Sequence, residues 1–135
     1  MKSIQYKNQT KKRKQPEGDH QKSLGLMLNG ILKPRLNPNL IFWTYSGAGE
    51  RKSLKTGILQ KRKGLMRGDF DYRFELREGD IMRVVYIETK SSKGSLNEFQ
   101  KAFQKNHENL TNAKCYTSKD IEESLNILKK EKIII

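Results

Sequence analysis

Residues 70–77, Phe-Asp-Tyr-Arg-Phe-Glu-Leu-Arg, alternate apolar and polar side chains without a break. This is the period of a half-buried strand, with Phe70, Tyr72, Phe74 and Leu76 on one face and Asp71, Arg73 and Glu75 on the other. Glu78-Gly79-Asp80 is a turn signal, and Ile81–Glu88 then resumes with β-branched and aromatic residues, which predicts a hairpin. Elsewhere the period changes. Leu24, Met27, Leu28 and Ile31 recur at i, i+3, i+4 and i+7 and predict an amphipathic helix over His20–Leu32 with these residues in the core. Pro34 and Pro38 break the chain before a strand at Leu40–Tyr45. Trp43 in that strand is expected to pack in preference to stacking on a base. Ser53–Lys63 predicts a short helix. After the hairpin, Ser95 and Glu98 have the spacing of a capping box, opening a helix with Leu96, Phe99 and Phe103 along one face. Ala113–Tyr116 predicts a short strand, and Ser118 is expected to cap a last helix with Ile121, Leu125 and Leu128 inward. The order α-β-α-β-β-α-β-α implies an α/β domain with a mixed sheet and helices on both sides.

The chain of 135 residues has room for one domain. A polar basic arm, residues 1–16, carries Lys11-Lys12-Arg13-Lys14 and lacks apolar periodicity, so residues 17–135 are expected to form the domain. The arm reads equally as a solvated tail or as a non-specific DNA contact. With 28 Lys and Arg against 15 acids the formal charge is +13, which favours a polyanionic partner, most simply nucleic acid. Arg51, Lys52, Lys55, Lys63 and Arg67 cluster just before Asp71 and are the expected DNA-contacting residues. No stretch is apolar and long enough to span a membrane, and the first residues lack the apolar core of a signal peptide. Ile133-Ile134-Ile135 is also too short to span one and is expected to pack on the body or join a partner. A single cysteine, Cys115, cannot form an internal disulfide, which agrees with a reducing, intracellular setting. Gly47–Ser53 superficially matches a phosphate-binding loop, but Arg51 stands where the nucleotide-binding form needs glycine. His20, His107 and Cys115 are too few and scattered for zinc.

The chemistry of the hairpin is more specific. Glu88 and Lys90 lie two apart and share a strand face, and an antiparallel partner can bring Asp71 beside them at one end. Paired carboxylates hold a hard divalent cation, and a lysine supplies positive charge near an attacking water and a developing phosphorane. Asp69 shares the strand parity of Asp71 and competes with it for this role. The plain alternative is a surface hairpin whose charges face water. Gln100 begins the second turn of the following helix, near the end of the strand carrying Glu88 and Lys90.

Gly68-Asp69-Phe70-Asp71, Glu88-Thr89-Lys90 and Leu96-Asn97-Glu98-Phe99-Gln100, in this order, resemble the motifs of the VRR-NUC family, a branch of the PD-(D/E)xK nucleases. Those motifs are Gly-x-Pro-Asp, a strand ending in Glu-x-Lys, and a helix opening with Leu-(Ser/Thr)-x-x-Gln. Phe42–Arg51 is similar to the family's strand and glycine loop ending in Arg, and Leu59–Gly64 to the helix end before the aspartate. The resemblance covers roughly residues 17–130. Phe70 replaces the family's Pro, and the Asn usual in the glycine loop is missing. The resemblance implies a restriction-endonuclease-like sheet and Mg²⁺- or Mn²⁺-dependent hydrolysis of DNA. It also implies catalytic roles for Asp71, Glu88, Lys90 and Gln100, and metal binding by Asp71, Glu88 and the Thr89 carbonyl. An acid on the family's first helix corresponds to Asp19 or Glu17, although the position of Asp19 before Leu24, Met27, Leu28 and Ile31 favours a helix N-cap. Stand-alone members, from phages and bacteria, further imply a homodimer on branched DNA such as Holliday junctions, in the cytoplasm or at the nucleoid.

Overall fold

The computed structural model describes residues 17–46 and 68–135. The basic arm, the helix expected at Ser53–Lys63 and the DNA-contact residues Arg51, Lys52, Lys55, Lys63 and Arg67 lie outside the described residues. The described elements run α1 (Glu17–Asn29), a 3-10 turn (Lys33–Arg35), β1 (Leu40–Tyr45), β2 (Tyr72–Glu78), β3 (Ile81–Thr89), α2 (Glu98–His107), β4 (Ala113–Ser118) and α3 (Ile121–Lys130). They form an α/β arrangement with a four-stranded mixed sheet in the order β1-β2-β3-β4. The first three strands are antiparallel, and β4 returns parallel to β3 after the α2 crossover.

Alternation in β2 does what period two requires: Tyr72, Phe74 and Leu76 are buried while Arg73 and Glu75 are half-buried. Val85 and Ile87 of β3 join them, and Leu24, Leu28, Ile127 and Leu128 from α1 and α3 close this core. Trp43 packs here as expected, its ring 6.4 Å from Phe74 and 6.3 Å from Tyr72. The opposite face meets α2, where Phe103 contacts Tyr86 edge-on at 4.9 Å and stacks on Phe70 at 5.1 Å. Helices therefore cover both faces. The hairpin turn has Gly79 at φ +64° directly after Glu78, which pairs with Ile81. A positive φ at the first central position alone is a type II′ turn, whose twist suits an antiparallel hairpin.

Several boundaries differ from the sequence expectation. The first helix ends at Asn29, so Ile31 is 73% exposed and Leu32 turns into the core instead. Asn97, not Ser95, caps α2: its Oδ1 accepts from the Gln100 amide at 2.8 Å, and Gln100 Oε1 accepts from the Asn97 amide at 3.1 Å. Phe99 is exposed, unlike Leu96 and Phe103. Asp120 caps α3 by accepting from the Glu123 amide at 2.8 Å, while Ser118 is buried and bonds Ser124 Oγ at 2.7 Å. Ile133 and Ile134 are buried on the body, with Ile134 bridged to Leu36.

Candidate active site

Asp71 enters β2 from a backbone that only glycine permits. Gly68 has φ +98°, and a Cβ there would lie 2.5 Å from the Phe99 carbonyl oxygen. The chain before Asp71 is thereby pressed against the first turn of α2. Asp69 turns its Oδ1 back to accept from the Phe70 amide at 2.8 Å. Asp71 points inward and is fully buried, so of the two competing aspartates it is Asp71 that joins Glu88.

The Asp71 carboxylate is held on one side only. Oδ2 accepts from Gln21 Nε2 at 2.9 Å, the Thr89 amide at 3.0 Å and Thr89 Oγ1 at 2.6 Å. Oδ1 is buried and has no hydrogen-bond partner. Glu88, also fully buried, is held at both oxygens. Its Oε1 accepts from the Asp71 amide at 3.0 Å, and its Oε2 accepts from Gln100 Nε2 at 2.7 Å and pairs with Lys90 Nζ at 3.2 Å. Because Gln100 Oε1 is committed to the Asn97 amide, its NH₂ must face Glu88. The cap thus sets which way that amide points. Lys90 is anchored by its own amide, which donates to the Ser118 carbonyl at 2.8 Å.

Burial pushes the Glu88 carboxyl up to about 7, with the nearby Asp71 charge adding to the rise and Lys90 and Gln100 opposing it. Next to the pair lies a second buried polar group. His20 Nε2 bonds Ser124 Oγ at 2.8 Å and lies 3.4 Å from Ser118 Oγ. Burial lowers the His20 pKa, against the pull of Asp120 and the Lys90 backbone. This imidazole serves as a neutral structural partner beneath the ends of β3 and β4.

The structure thus brings together Asp71, Glu88, Lys90 and Gln100, and adds Gln21 and the Thr89 hydroxyl, which sequence reasoning did not assign. Thr89 reaches Asp71 through its amide and side chain, contacts distinct from the role expected of its carbonyl. Asp19 is exposed. It lies within α1, not at an N-cap. Two residues are about 200° of helical turn, so when Gln21 faces Asp71, Asp19 faces away. Asp19 is therefore not assembled with the pair, and the side chain of Glu17 lies outside the described residues. Among the described residues no group of three or more His, Cys, Asp or Glu side chains could hold a metal ion. Gln21 was detectable: with Leu24 and Leu28 it forms the i, i+3, i+7 stripe that faces inward.

The donor set nevertheless suits a hard cation. Mg²⁺ commonly takes one or two carboxylates and fills its other positions with water and substrate phosphate. Asp71 Oδ1, buried and unsatisfied, is the atom such an ion would meet first, since a buried carboxylate oxygen left alone is costly. Comparisons with protein-family models, curated proteins and solved structures return no match to this chain.

Proposed function

We propose that this protein is a Mg²⁺- or Mn²⁺-dependent DNA endonuclease with a restriction-endonuclease-like sheet, acting as a homodimer on branched DNA. The observation that carries the reading is the buried Asp71–Glu88 pair, with Lys90 at 3.2 Å from Glu88 and one Asp71 oxygen unsatisfied. Three antiparallel strands followed by a helix and a parallel strand agree with that fold. The charge of +13 supports a phosphodiester backbone as partner.

Asp71 and Glu88 would hold the cation, which when bound lowers the pKa of its water and polarises the phosphoryl oxygen. Gln21 and Thr89 fix Asp71 by occupying Oδ2, which leaves Oδ1 as its coordinating atom. Gln100 and the Asp71 amide orient Glu88. Lys90, on the same strand face as Glu88, stabilises negative charge on the phosphorane or, when neutral, takes the proton of the attacking water. In either case water oxygen bonds to phosphorus as the bond to the leaving sugar oxygen breaks. One domain carries one such site, so cutting two strands calls for two copies.

A second reading has its own support. Both Glu88 oxygens are already engaged within the protein, as in a structural ion pair of a basic DNA-binding protein without catalysis. Cleavage of labelled four-way junction, flap, single-stranded and linear duplex DNA with Mn²⁺ separates the two, run beside Glu88→Ala and Lys90→Ala. Cutting that needs metal and is lost in both variants is the expected result. Intact DNA of every geometry, with salt-dependent binding that ignores Mn²⁺ and Glu88, would leave only the second reading.

A further inference from the structure

Behind the acid pair lies a cavity of about 330 Å³ between α1 and the β1–β2 ladder, within the size range of small-ligand sites. Trp43 and Tyr45 line it on the sheet side over the almost wholly buried Tyr72, Gly25 and Leu26 line it on the helix side, and Lys22 and Asn29 stand at the exposed rim. Gln21 forms its inner wall. The Gln21 side chain donates to Asp71 Oδ2 at 2.9 Å and accepts from Tyr45 Oη at 3.2 Å. One amide thus separates the cavity from the acid pair. The walls are held in place: Tyr72 Oη donates to the Gln21 carbonyl at 2.7 Å, and the Tyr45 and Tyr72 rings meet at 5.2 Å. Trp43 is braced by Phe74 on the core side and lines the cavity with the rest of its half-buried surface.

A purely hydrocarbon ligand would make no use of Lys22 or Asn29. A nucleobase would use each of these features. Its flat π-faces match indole and phenol rings, its edge suits a primary amide, and the phosphate attached to it suits an ammonium group. We propose that this cavity takes one unpaired nucleobase from the strand whose phosphate lies at Asp71 and Glu88. The inference rests on the nuclease reading for that strand placement and specifies its substrate: DNA with unpaired nucleotides, since a base inside a duplex cannot reach the ring faces. Gln21 then joins occupancy of the cavity to the orientation of Asp71.

Trp43 is the only tryptophan, so its emission reports on the cavity directly. The test titrates the full chain, in EDTA, with a single-stranded oligodeoxynucleotide, an all-abasic strand of equal length and charge, and a blunt duplex. The intact strand should quench Trp43 and bind at least about fivefold more tightly than the abasic strand, as one stacked base allows. Asn29→Ala should shrink that ratio, whereas Lys22→Ala should weaken both strands alike. Both substitutions are at exposed helix positions, where the fold tolerates them. Equal binding of intact and abasic strands, or an unchanged Trp43 signal with the intact strand bound, overturns the proposal. Metal is absent throughout, so the result is independent of cleavage. A protein that cuts DNA with Mn²⁺ but ignores the base loses the cavity assignment and keeps its nuclease. One that recognises the base but never cuts loses the nuclease.

Discussion

Glu88→Gln removes one ionisation from the centre of the site and keeps the side chain's size. The Glu88 carboxyl rises from 4.5 to about 7 on burial beside Asp71. Between those values the folded protein holds a proton that the unfolded chain has released, so this group's contribution to stability falls as pH rises. Below pH 4.5 both states are protonated, and above about 7 both are ionised, so the change is confined to that window. At about 1.4 kcal/mol per unit, the loss across it is on the order of 3 kcal/mol. His20 acts with the opposite sign. Its lowered pKa makes the folded state prefer the neutral ring, which favours folding as pH rises. The difference between wild type and Glu88→Gln cancels that contribution and the other shared titrations. Every donor around Glu88 points at a carboxylate oxygen, so whichever way the new amide turns, its NH₂ meets a donor. That penalty shifts the difference curve without tilting it. Urea midpoints followed by Trp43 emission in EDTA, from pH 5 to 8, give the curve. Relative to the variant, wild type should lose stability steadily over this range, and saturating Mg²⁺ should flatten the slope by neutralising the pair as the proton does. A flat or rising difference curve without metal would falsify the argument, because Lys90 and Gln100 would then outweigh burial.

Further expectations follow from single contacts. Gly68→Ala sets a Cβ 2.5 Å from the Phe99 carbonyl oxygen at φ +98°; it should cost about 1–3 kcal/mol by thermal melting and abolish Mn²⁺-dependent cutting. Gln100→Ala removes half of a capping box and a donor to buried Glu88. A loss of about 1–3 kcal/mol is expected in chemical denaturation, with a larger proportional loss of cleavage than of DNA binding. Asp120→Ala should destabilise by about 1 kcal/mol and Ser95→Ala by less than about 0.5 kcal/mol, a ranking that thermal midpoints would reverse if Ser95 were the true cap. Neither substitution should alter cleavage at a temperature where both variants are folded.

Periodicity carried most of the architecture. The unbroken alternation of residues 70–77 reads as a strand, and it holds from Tyr72 onward, with Tyr72, Phe74 and Leu76 on the α1 side. It fails at Phe70 and Asp71, which precede β2: Phe70 lies against Phe103 of α2 instead of beside Tyr72, and Asp71 turns to Gln21 of α1. The two-residue spacing of Glu88 and Lys90 put both on one side by the same period. Caps were less legible, because Ser95, Asn97, Ser118 and Asp120 all have the chemistry of an N-cap. The choice fell to tertiary partners: Gln100 had Glu88 to meet, and Ser118 was drawn under the sheet by His20 and Ser124. The family resemblance singles out Asp19, whereas the residue that reaches the pair is Gln21, on the inward stripe with Leu24 and Leu28. A polar residue on an apolar stripe is a stronger sign of a buried contact than a charged residue beside it.

The Gln100 amide belongs at once to the end of a helix and to the carboxylate pair. Helix ends are where native proteins open most readily, so fraying of the first turn of α2 and disassembly of the site are one event. When the Asn97 amide lets go of Gln100 Oε1, the NH₂ aimed at Glu88 loses its fixed direction. Hydrogen exchange at the Gln100 and Asn97 amides therefore measures how often the site comes apart. The lifetime of the assembled centre is that of one helical turn.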